Sequence, residues 1–269
     1  MLKKLLFALL FIAGVFSCRQ VPVTGRSQFI IVPASEMQAM SYTQYDQFLN
    51  QNRVVTGTEE SRMIKRVGSR IQTAVEAYMA EKGLSDRLEG FEWEFNLVND
   101  ETINAWCMPG GKVVFYTGIL PVCQDETGVA VVMGHEIAHA VADHGAERMS
   151  QGLVAQGISS GVGLAAQQSS PLVQQLFMGA FGIGSQVGML AFSRKHESEA
   201  DEMGLIFSAM AGYDPREAPE FWKRMSAKSG GGAPPEFLST HPSHDRRISD
   251  LNELLPTAMQ YYEKYKDRY

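Results

Sequence analysis

Apolar residues recur at helical spacing over two stretches in the first third of the chain. The first predicted helix begins near Ser35 and ends before Asn52. The second begins near Thr58 and ends at Gly83, and its apolar residues share one face: Met63, Ile64, Val67, Ile71, Val75 and Tyr78. Because each helix is amphipathic, we expect both to belong to the scaffold.

After these helices the hydrophobic period changes to two residues, which predicts a β-strand with one buried face. The alternating apolar residues are Phe91, Trp93, Phe95 and Leu97. Two further strand-like runs, Ile103–Met108 and Lys112–Tyr116, flank a Pro-Gly-Gly turn and predict a hairpin. The pattern therefore indicates an α+β fold with a small sheet.

A long helix is predicted from about Asp125 to Met149, because Asp125 can cap its start. Another helix is predicted at about 193–211, and a further one up to about 228. Residues 229–239 read as a loop rich in glycine and proline, and helices are expected from about His244 onwards.

The segment between Arg148 and Arg194 contains no charged residue. Glutamines and Pro171 divide it into apolar runs shorter than the roughly 18 residues that indicate a transmembrane helix. We therefore expect buried or membrane-touching helices here, and a transmembrane hairpin is the alternative.

Residues 1–17 have the pattern of an export signal, because two lysines precede an uncharged run that is too short to cross a bilayer. Ser17 stands directly before Cys18, which resembles the bacterial lipobox. The Cys18 thiol would then be lipidated and anchor the chain to a membrane, whereas an ordinary secretory peptide is the alternative. The expected divisions are a signal peptide over 1–17, a lipid-anchored segment over 18–34 and one domain over 35–269.

The composition indicates a globular protein and argues against several classes of binding site. A hydrophobic fraction of 45% and a charged fraction of 20% are typical of a globular chain. The 24 basic and 30 acidic residues give a net charge of -6, which argues against nucleic-acid binding. Three cysteines without CxxC spacing exclude zinc ribbons and thioredoxin-like motifs, so other residues must hold any metal.

His135, Glu136 and His139 spell HExxH within the long predicted helix. Because residues four apart lie one turn apart on the same helix face, both imidazoles can reach a single ion. Glu136 lies beside them, on the flank where a bound water would lie. This arrangement suits Zn²⁺, and the alternative is a pair of core histidines.

A catalytic zinc ion takes three protein ligands and keeps one open position, so another ligand must come from elsewhere. Glu197 and Asp201 lie four residues apart on the next charged helix and so share a face. Glu197 can ligate the ion, and Asp201 can accept the outer ring N–H of a zinc-bound histidine. Glu199 projects elsewhere and is expected to be a surface or structural charge.

HEIAH at 135–139 and a match to SRxxExEAD at 193–201 together resemble a family of zinc endopeptidases. That family includes the CAAX prenyl proteases, HtpX, the mitochondrial Oma protease and the periplasmic protease BepA. Further segments resemble its bacterial lipoprotein branch: VPVTGR at 21–26, NAWCMPGG at 104–111, YTGIL at 116–120, HGAERM at 144–149 and THPS at 240–243. The resemblance covers nearly the whole chain after Cys18.

The resemblance implies a mostly helical, zincin-like (gluzincin) metallopeptidase domain, with a small antiparallel sheet beside the active-site helix. It implies Glu136 as the catalytic residue and Asp201 as a hydrogen-bond partner of His135. The implied ligands of one Zn²⁺ are His135, His139 and Glu197.

Asn104, Ala105 and Trp106 resemble the edge strand that pairs with an extended substrate in related zinc peptidases. Substrates would therefore be locally unfolded. The alternative for Asn104 is an ordinary strand-end residue that hydrogen-bonds its own turn.

By the same resemblance, His241 is a regulatory fourth ligand that keeps the enzyme latent, and a simple loop histidine is the alternative. Arg194 resembles an ion-pair residue close to the ligands. We favour free thiols over a disulfide between Cys107 and Cys123. The remaining histidines are expected at the surface or at helix ends: His144, His196 and His244.

We therefore expect a zinc endopeptidase that faces the periplasm, is anchored by lipid to the outer membrane and degrades misfolded or misassembled envelope proteins. The alternative is a chaperone or assembly factor for outer-membrane proteins whose protease site is held shut. The expected partners are unfolded polypeptides and the membrane, with no nucleic acid.

Overall fold

The computed structural model describes residues 18–158, 160–167, 170–181, 192–228, 235–241 and 246–268. The predicted signal peptide over 1–17 lies outside the described residues, as do His244 and most of the predicted glycine-rich loop. Part of the uncharged segment, residues 182–191, also lies outside them.

The described chain begins with a short hairpin. Strand β1 (Cys18–Gln20) pairs antiparallel with β2 (Ser27–Phe29). Helix α1 (Ala34–Gln51) follows within one residue of its predicted bounds, and it buries Met37, Met40 and Tyr45. The hydrophobic pattern thus predicted α1 correctly.

Helix α2 (Glu59–Glu81) begins with a capping box. Thr58 Oγ1 accepts a hydrogen bond from Ser61 N, and Ser61 Oγ accepts one from Thr58 N. These bonds satisfy two backbone N–H groups that have no acceptor within the helix. Gly83 follows the helix at φ 68°, a conformation that a side chain disfavours. The predicted start and end of this helix are therefore confirmed.

The main sheet has four strands, in the spatial order β3 (Val54–Val55), β4 (Glu94–Val98), β6 (Lys112–Tyr116) and β5 (Ala105–Met108). Strands β5 and β6 form the predicted antiparallel hairpin, whereas β4 pairs with β6 in parallel. The sheet is therefore mixed rather than purely antiparallel, because alternation along a strand does not specify its neighbour. β5 lies at an edge.

The hairpin strands are buried on both faces. Along β6, Val113 and Phe115 join one apolar cluster, and Val114 and Tyr116 join a second cluster on the opposite face. The first cluster contains the apolar face of α2, and the second contains that of α1. The sheet therefore separates two apolar cores.

Helix α3 (Leu120–Cys123) leads into α4 (Glu126–Val141), the helix that carries HExxH. The Asp125 carboxylate accepts hydrogen bonds from the N–H groups of Thr127 and Gly128, as expected of an N-cap. The predicted start of the helix is therefore confirmed.

The prediction that this helix continues to Met149 is wrong. The chain leaves the helix at Asp143, which has a left-handed conformation at φ 57°, and α5 (His144–Ala155) then starts in a new direction. Aspartate tolerates this conformation better than most residues, so neither the composition nor the periodicity marks the break.

The remaining helices of the described chain are α6 (Pro171–Ala180), α7 (Arg194–Met210), α8 (Glu217–Ala227), α9 (Glu236–Thr240) and α10 (Arg247–Tyr265). Among the described residues, no helix is both long and apolar enough to cross a bilayer. The fold is mostly helical with small sheets, as predicted.

Two glycines let α4 and α7 approach closely. A Cβ at Gly204 would lie 2.7 Å from the backbone N of His135, and a Cβ at Gly134 would lie 2.5 Å from Ser208 Oγ. Because real Cβ atoms do not make contacts this short, a larger residue would push the helices apart. This contact brings Glu197 near the HExxH histidines.

Candidate metal centre

Helix α4 presents His135 and His139 on one face. Their Nε2 atoms lie 3.1 Å apart, and only 2–3% of each residue is exposed. The spacing of four residues thus places both imidazoles side by side, as the sequence predicted.

Helix α7 contributes Glu197, which is completely buried. Glu197 Oε1 lies 3.5 Å from His139 Nε2, and Glu197 Oε2 lies 3.5 Å from His135 Nε2. Ser193 caps the start of α7 by accepting a hydrogen bond from His196 N, which fixes the first turn of the helix.

His241 follows α9 and completes the group. Its Nδ1 lies 3.3 Å from His135 Nε2 and 3.1 Å from Glu197 Oε1. We call His135, His139, Glu197 and His241 the metal cluster, because one donor atom of each lies within 4.8 Å of the others. Three imidazoles and a carboxylate form a donor set that fits Zn²⁺.

Glu136 lies beside the metal cluster. Its Oε1 is 3.5 Å from His241 Nε2, and it has no hydrogen-bond partner within the described part of the chain. Burial raises the pKa of Glu136, although His241 and His135 oppose this shift. A buried carboxylate without a donor is a stronger base than one at the surface.

Asp201 lies one turn after Glu197 and contacts the outer nitrogen of His135, with Oδ1 3.0 Å from Nδ1. This is the contact that the sequence predicted for Asp201. The pairing fixes which nitrogen of His135 faces the metal cluster.

Arg247 is a site residue that the sequence did not reveal. Its Nη1 donates to Glu197 Oε2 at 2.8 Å, and its Nη2 donates to Asp201 Oδ1 at 2.7 Å. Its guanidinium carbon lies 3.2 Å from the ring centre of Trp222. Burial would raise the pKa of Glu197, but His241 and Arg247 hold it well below its usual range. No local motif marks Arg247, because it lies 50 residues beyond Glu197.

The structure does not bring Arg194 to the metal cluster. Its side chain is exposed on the first turn of α7, and it forms no ion pair with another described residue. The expectation of an ion-pair role for Arg194 is therefore corrected, because Arg247 occupies that position.

Asn104 leads into the edge strand β5, and Ala105 and Trp106 lie within it. All three are almost completely buried. Asn104 Nδ2 donates to Glu236 Oε1 at 2.9 Å, while its Oδ1 accepts from Ala105 N. The strand is at the sheet edge as the resemblance implied, and Asn104 also makes the local hydrogen bond of the alternative.

A second group of polar residues adjoins the metal cluster, and we call it the support cluster: Arg26, His144, Glu147, His196 and Glu199. All are buried except Arg26, which is partly exposed. His144 Nδ1 lies 3.0 Å from His139 Nδ1, and His144 Nε2 lies 3.0 Å from Glu199 Oε2. His196 Nε2 lies 3.1 Å from Glu147 Oε2. His144 and His196 are therefore buried within the first turn of a helix rather than at the surface, and Glu199 has the structural role of the two that were expected for it.

Arg26 bridges the two carboxylates of the support cluster. It donates to both oxygens of Glu147, at 2.9 and 2.7 Å, and its Nε donates to Glu199 Oε1 at 2.7 Å. Burial would raise the pKa of each carboxylate, but hydrogen bonds from a histidine and Arg26 lower both to about 2. Burial lowers the pKa of His144 to about 4, which favours the neutral ring.

Cys107 and Cys123 are both free and buried, as favoured from the sequence. Burial raises the pKa of both thiols, so neither is a thiolate at neutral pH.

Most of the chain matches a known protein family. Residues 66–255 match the sequence model of Peptidase family M48. The chain belongs to this family. The family membership predicted from HExxH and the acidic motif is thereby confirmed. Families of this kind depend on a metal, which agrees with the donor set of the metal cluster.

Several relatives align over most of the chain. The chain is 37% identical over 248 residues to the mitochondrial metalloendopeptidase OMA1 of Schizosaccharomyces pombe, and the alignment covers 88% of this chain and 66% of the relative. It is 30% identical over 268 residues to the human mitochondrial metalloendopeptidase OMA1, covering 96% of this chain and 50% of the relative.

The chain is also 30% identical over 183 residues to the β-barrel assembly-enhancing protease of Escherichia coli. This alignment covers 64% of the chain and 37% of the relative. The chain thus spans only part of the length of these relatives.

Proposed function

We propose that this M48 chain is a zinc-dependent endopeptidase whose metal ligands are His135, His139 and Glu197. The observation that carries the proposal is the convergence of three buried donor groups from α4 and α7 beside Glu136, whose buried Oε1 has no hydrogen-bond partner. A bound zinc ion would supply the Lewis acidity that activates a water and polarises a peptide carbonyl.

Glu136 would accept the proton of the attacking water and later donate it to the leaving amine. Its burial and its lack of a hydrogen-bond donor support this role, because both strengthen it as a base. Asp201 would hold His135 in one tautomer, and Arg247 would orient the carboxylates of Glu197 and Asp201.

We further propose that the described conformation is latent and that His241 closes the site. The His241 ring is stacked between Phe237, at a centroid distance of 4.6 Å, and Phe192, at 5.1 Å. Its Nδ1 is 3.3 Å from His135 Nε2 and 3.1 Å from Glu197 Oε1, which supports a role as a fourth ligand. A histidine in that position would exclude water from the metal.

The segment that carries His241 also binds the start of the edge strand. Phe237 N donates to Ile103 O at 3.1 Å, and Glu236 accepts from Asn104. A substrate that extends the sheet needs free backbone groups at this edge. Release of α9 would therefore free both the metal and the strand for a locally unfolded polypeptide.

The cellular role is proposed from the sequence and the relatives together. We propose a lipid anchor at Cys18 in a bacterial envelope, with outer-membrane, periplasm-facing attachment and quality control of misassembled proteins as the task. The lipobox-like end of residues 1–18 and the similarity to the β-barrel assembly-enhancing protease support this role. The Cys18→Ser variant should lack the added lipid mass of the mature chain. An unmodified Cys18 would refute the anchor.

Digestion of casein by the full chain in detergent tests the peptidase. The wild type should bind zinc and cleave slowly, because His241 limits access to the metal. Glu136→Gln should bind zinc without cleaving, because it lacks the base but keeps the ligands. Glu60→Gln, at an exposed position, is the matched control. Cleavage by Glu136→Gln at the wild-type rate would refute the mechanism.

The buried position of His241 also favours one other function, a chaperone whose site stays shut. His241→Ala distinguishes the two functions, because a latent peptidase should then cleave casein faster and still bind zinc. Zinc binding without cleavage by either protein would instead favour the chaperone.

A further inference from the structure

His139 faces the metal cluster with Nε2 and another histidine with its outer nitrogen, Nδ1. The role of this second contact rests on the proposed function of the cluster as a metal centre. Metal-bound histidines normally donate their second ring N–H to a partner that fixes the tautomer. For His135 that partner is the Asp201 carboxylate, at 3.0 Å. For His139 it is another histidine, His144, at 3.0 Å.

Only one arrangement of protons satisfies this contact when His139 Nε2 faces a metal. His139 Nδ1 must then carry the proton and donate it to His144 Nδ1. His144 must carry its own proton on Nε2, which donates to Glu199 Oε2 at 3.0 Å. Glu199 therefore determines the tautomer of His144, and His144 determines that of His139.

Glu199 is held in turn by the hairpin at the start of the described chain. Its Oε1 accepts from Arg26 Nε at 2.7 Å and from Thr24 Oγ1 at 3.2 Å. The other two nitrogens of Arg26 are fixed by Glu147. The Arg26 side chain is only 15% exposed, so the planar fork is held rigidly.

We infer that Arg26 is a positioning residue for the metal ligand His139, acting through Glu199 and His144. The hairpin of β1 and β2 is then a functional part of the metal centre, although it is more than 100 residues from HExxH in sequence.

The test uses the full chain and two measurements that do not depend on peptidase activity. One is the rate at which a coloured chelator removes Zn²⁺, and the other is the visible spectrum of the Co²⁺-substituted protein. Arg26→Gln should release zinc roughly tenfold faster and shift the Co²⁺ bands, because outer contacts of metal histidines contribute on this scale.

Arg26→Lys should recover part of the wild-type zinc retention, because it keeps the charge but not the fork. The control is Arg62→Gln, which removes an exposed arginine paired with Glu59 and should change neither measurement. Circular dichroism of each metal-free variant shows whether it folds. If Arg26→Gln does not fold, the isosteric Glu199→Gln takes its place with the same expected result.

A folded variant with the zinc release rate and Co²⁺ spectrum of the wild type would overturn the inference. If the wild type itself binds neither ion, the proposed metal centre fails and this inference fails with it. If the wild type binds both ions and the variants match it, only the inference fails.

Discussion

The metal cluster and the support cluster contain the same residue types, but they satisfy their polar groups differently. In the metal cluster, ring nitrogens of different histidines lie 3.1 to 3.3 Å apart and face one another. In the support cluster, His144 and His196 each face a carboxylate, and Arg26 forms ion pairs with both carboxylates. The first arrangement calls for a cation, whereas Arg26 already supplies one in the second, where the buried His196 Nδ1 has no hydrogen-bond partner.

The comparison shows that burial of histidine and glutamate does not by itself identify a metal site. The two clusters differ in the source of the cation that faces their carboxylates. Arg26 is a cation supplied by the chain in the support cluster, whereas Arg247 reaches only one side of Glu197 in the metal cluster. The opposite side of Glu197, facing His139 and His241, is left for a metal.

The largest expected effect comes from Glu197→Gln, which neutralises the only carboxylate in the metal cluster. We expect metal affinity to fall by at least about 100-fold and casein cleavage to be lost, because a neutral amide is a poor zinc ligand. Equilibrium dialysis with Zn²⁺ measures the first effect. The matched variant in the support cluster, Glu147→Gln, should lose no more than about tenfold in affinity, because it acts on the ligand His139 only through Arg26. Equal losses in both variants would erase the distinction between the clusters.

Arg247→Met tests whether the guanidinium of Arg247 balances the negative charge of the buried carboxylates that it contacts. Removal of one partner from a buried ion pair costs about 3–5 kcal/mol of unfolding free energy. We expect a smaller loss in the zinc-loaded protein, because the ion also neutralises Glu197. Urea unfolding with and without zinc measures the difference, and Arg216→Met provides an exposed control. The same loss in both states would contradict the proposed site.

Glu147→Gln should lower the unfolding free energy of the zinc-free chain by about 1–3 kcal/mol at pH 7, because Arg26 and His196 lose a charged partner. The pKa of Glu147 is lowered to about 2 in the folded chain. Its contribution is therefore fully present above the unfolded value near 4.5, and it is lost as the pH falls towards 2.

The difference in unfolding free energy between wild type and Glu147→Gln should thus shrink between pH 6 and pH 3.5. Urea titrations at a series of pH values measure this trend. Glu220→Gln, which changes an exposed carboxylate beside Lys223, should show no such trend. A difference that grows on acidification would mean that the folded pKa is not lowered.

The smallest expected effect is that of Asp143→Asn at the break between α4 and α5. Burial raises the pKa of Asp143, while Arg87 and Arg19 oppose that shift, so the charge contributes little. Asparagine also tolerates the left-handed conformation at φ 57°. We expect a change within about 1 kcal/mol in urea unfolding. A loss as large as that of Glu147→Gln would show that the charge of Asp143 stabilises the fold as much as that of Glu147.

Much of the site could be predicted because its parts are local. HExxH and the spacing of Glu197 and Asp201 are properties of single helices, where residues four apart share a face. Arg247 and Arg26 could not be predicted in the same way. Each acts on residues from other elements, and neither lies in a periodic pattern that would mark it as buried.

The sequence by itself determined most of the helices, the hairpin, the family and the helix faces shared by His135 with His139 and by Glu197 with Asp201, because periodicity, capping residues and motif spacing act within one element. Only the tertiary structure decided the break at Asp143, the parallel pairing of β4, the ion pairs of Arg247 and the contacts of the support cluster. These features depend on contacts between distant segments, whose energies are set by the complementary surfaces of the folded chain.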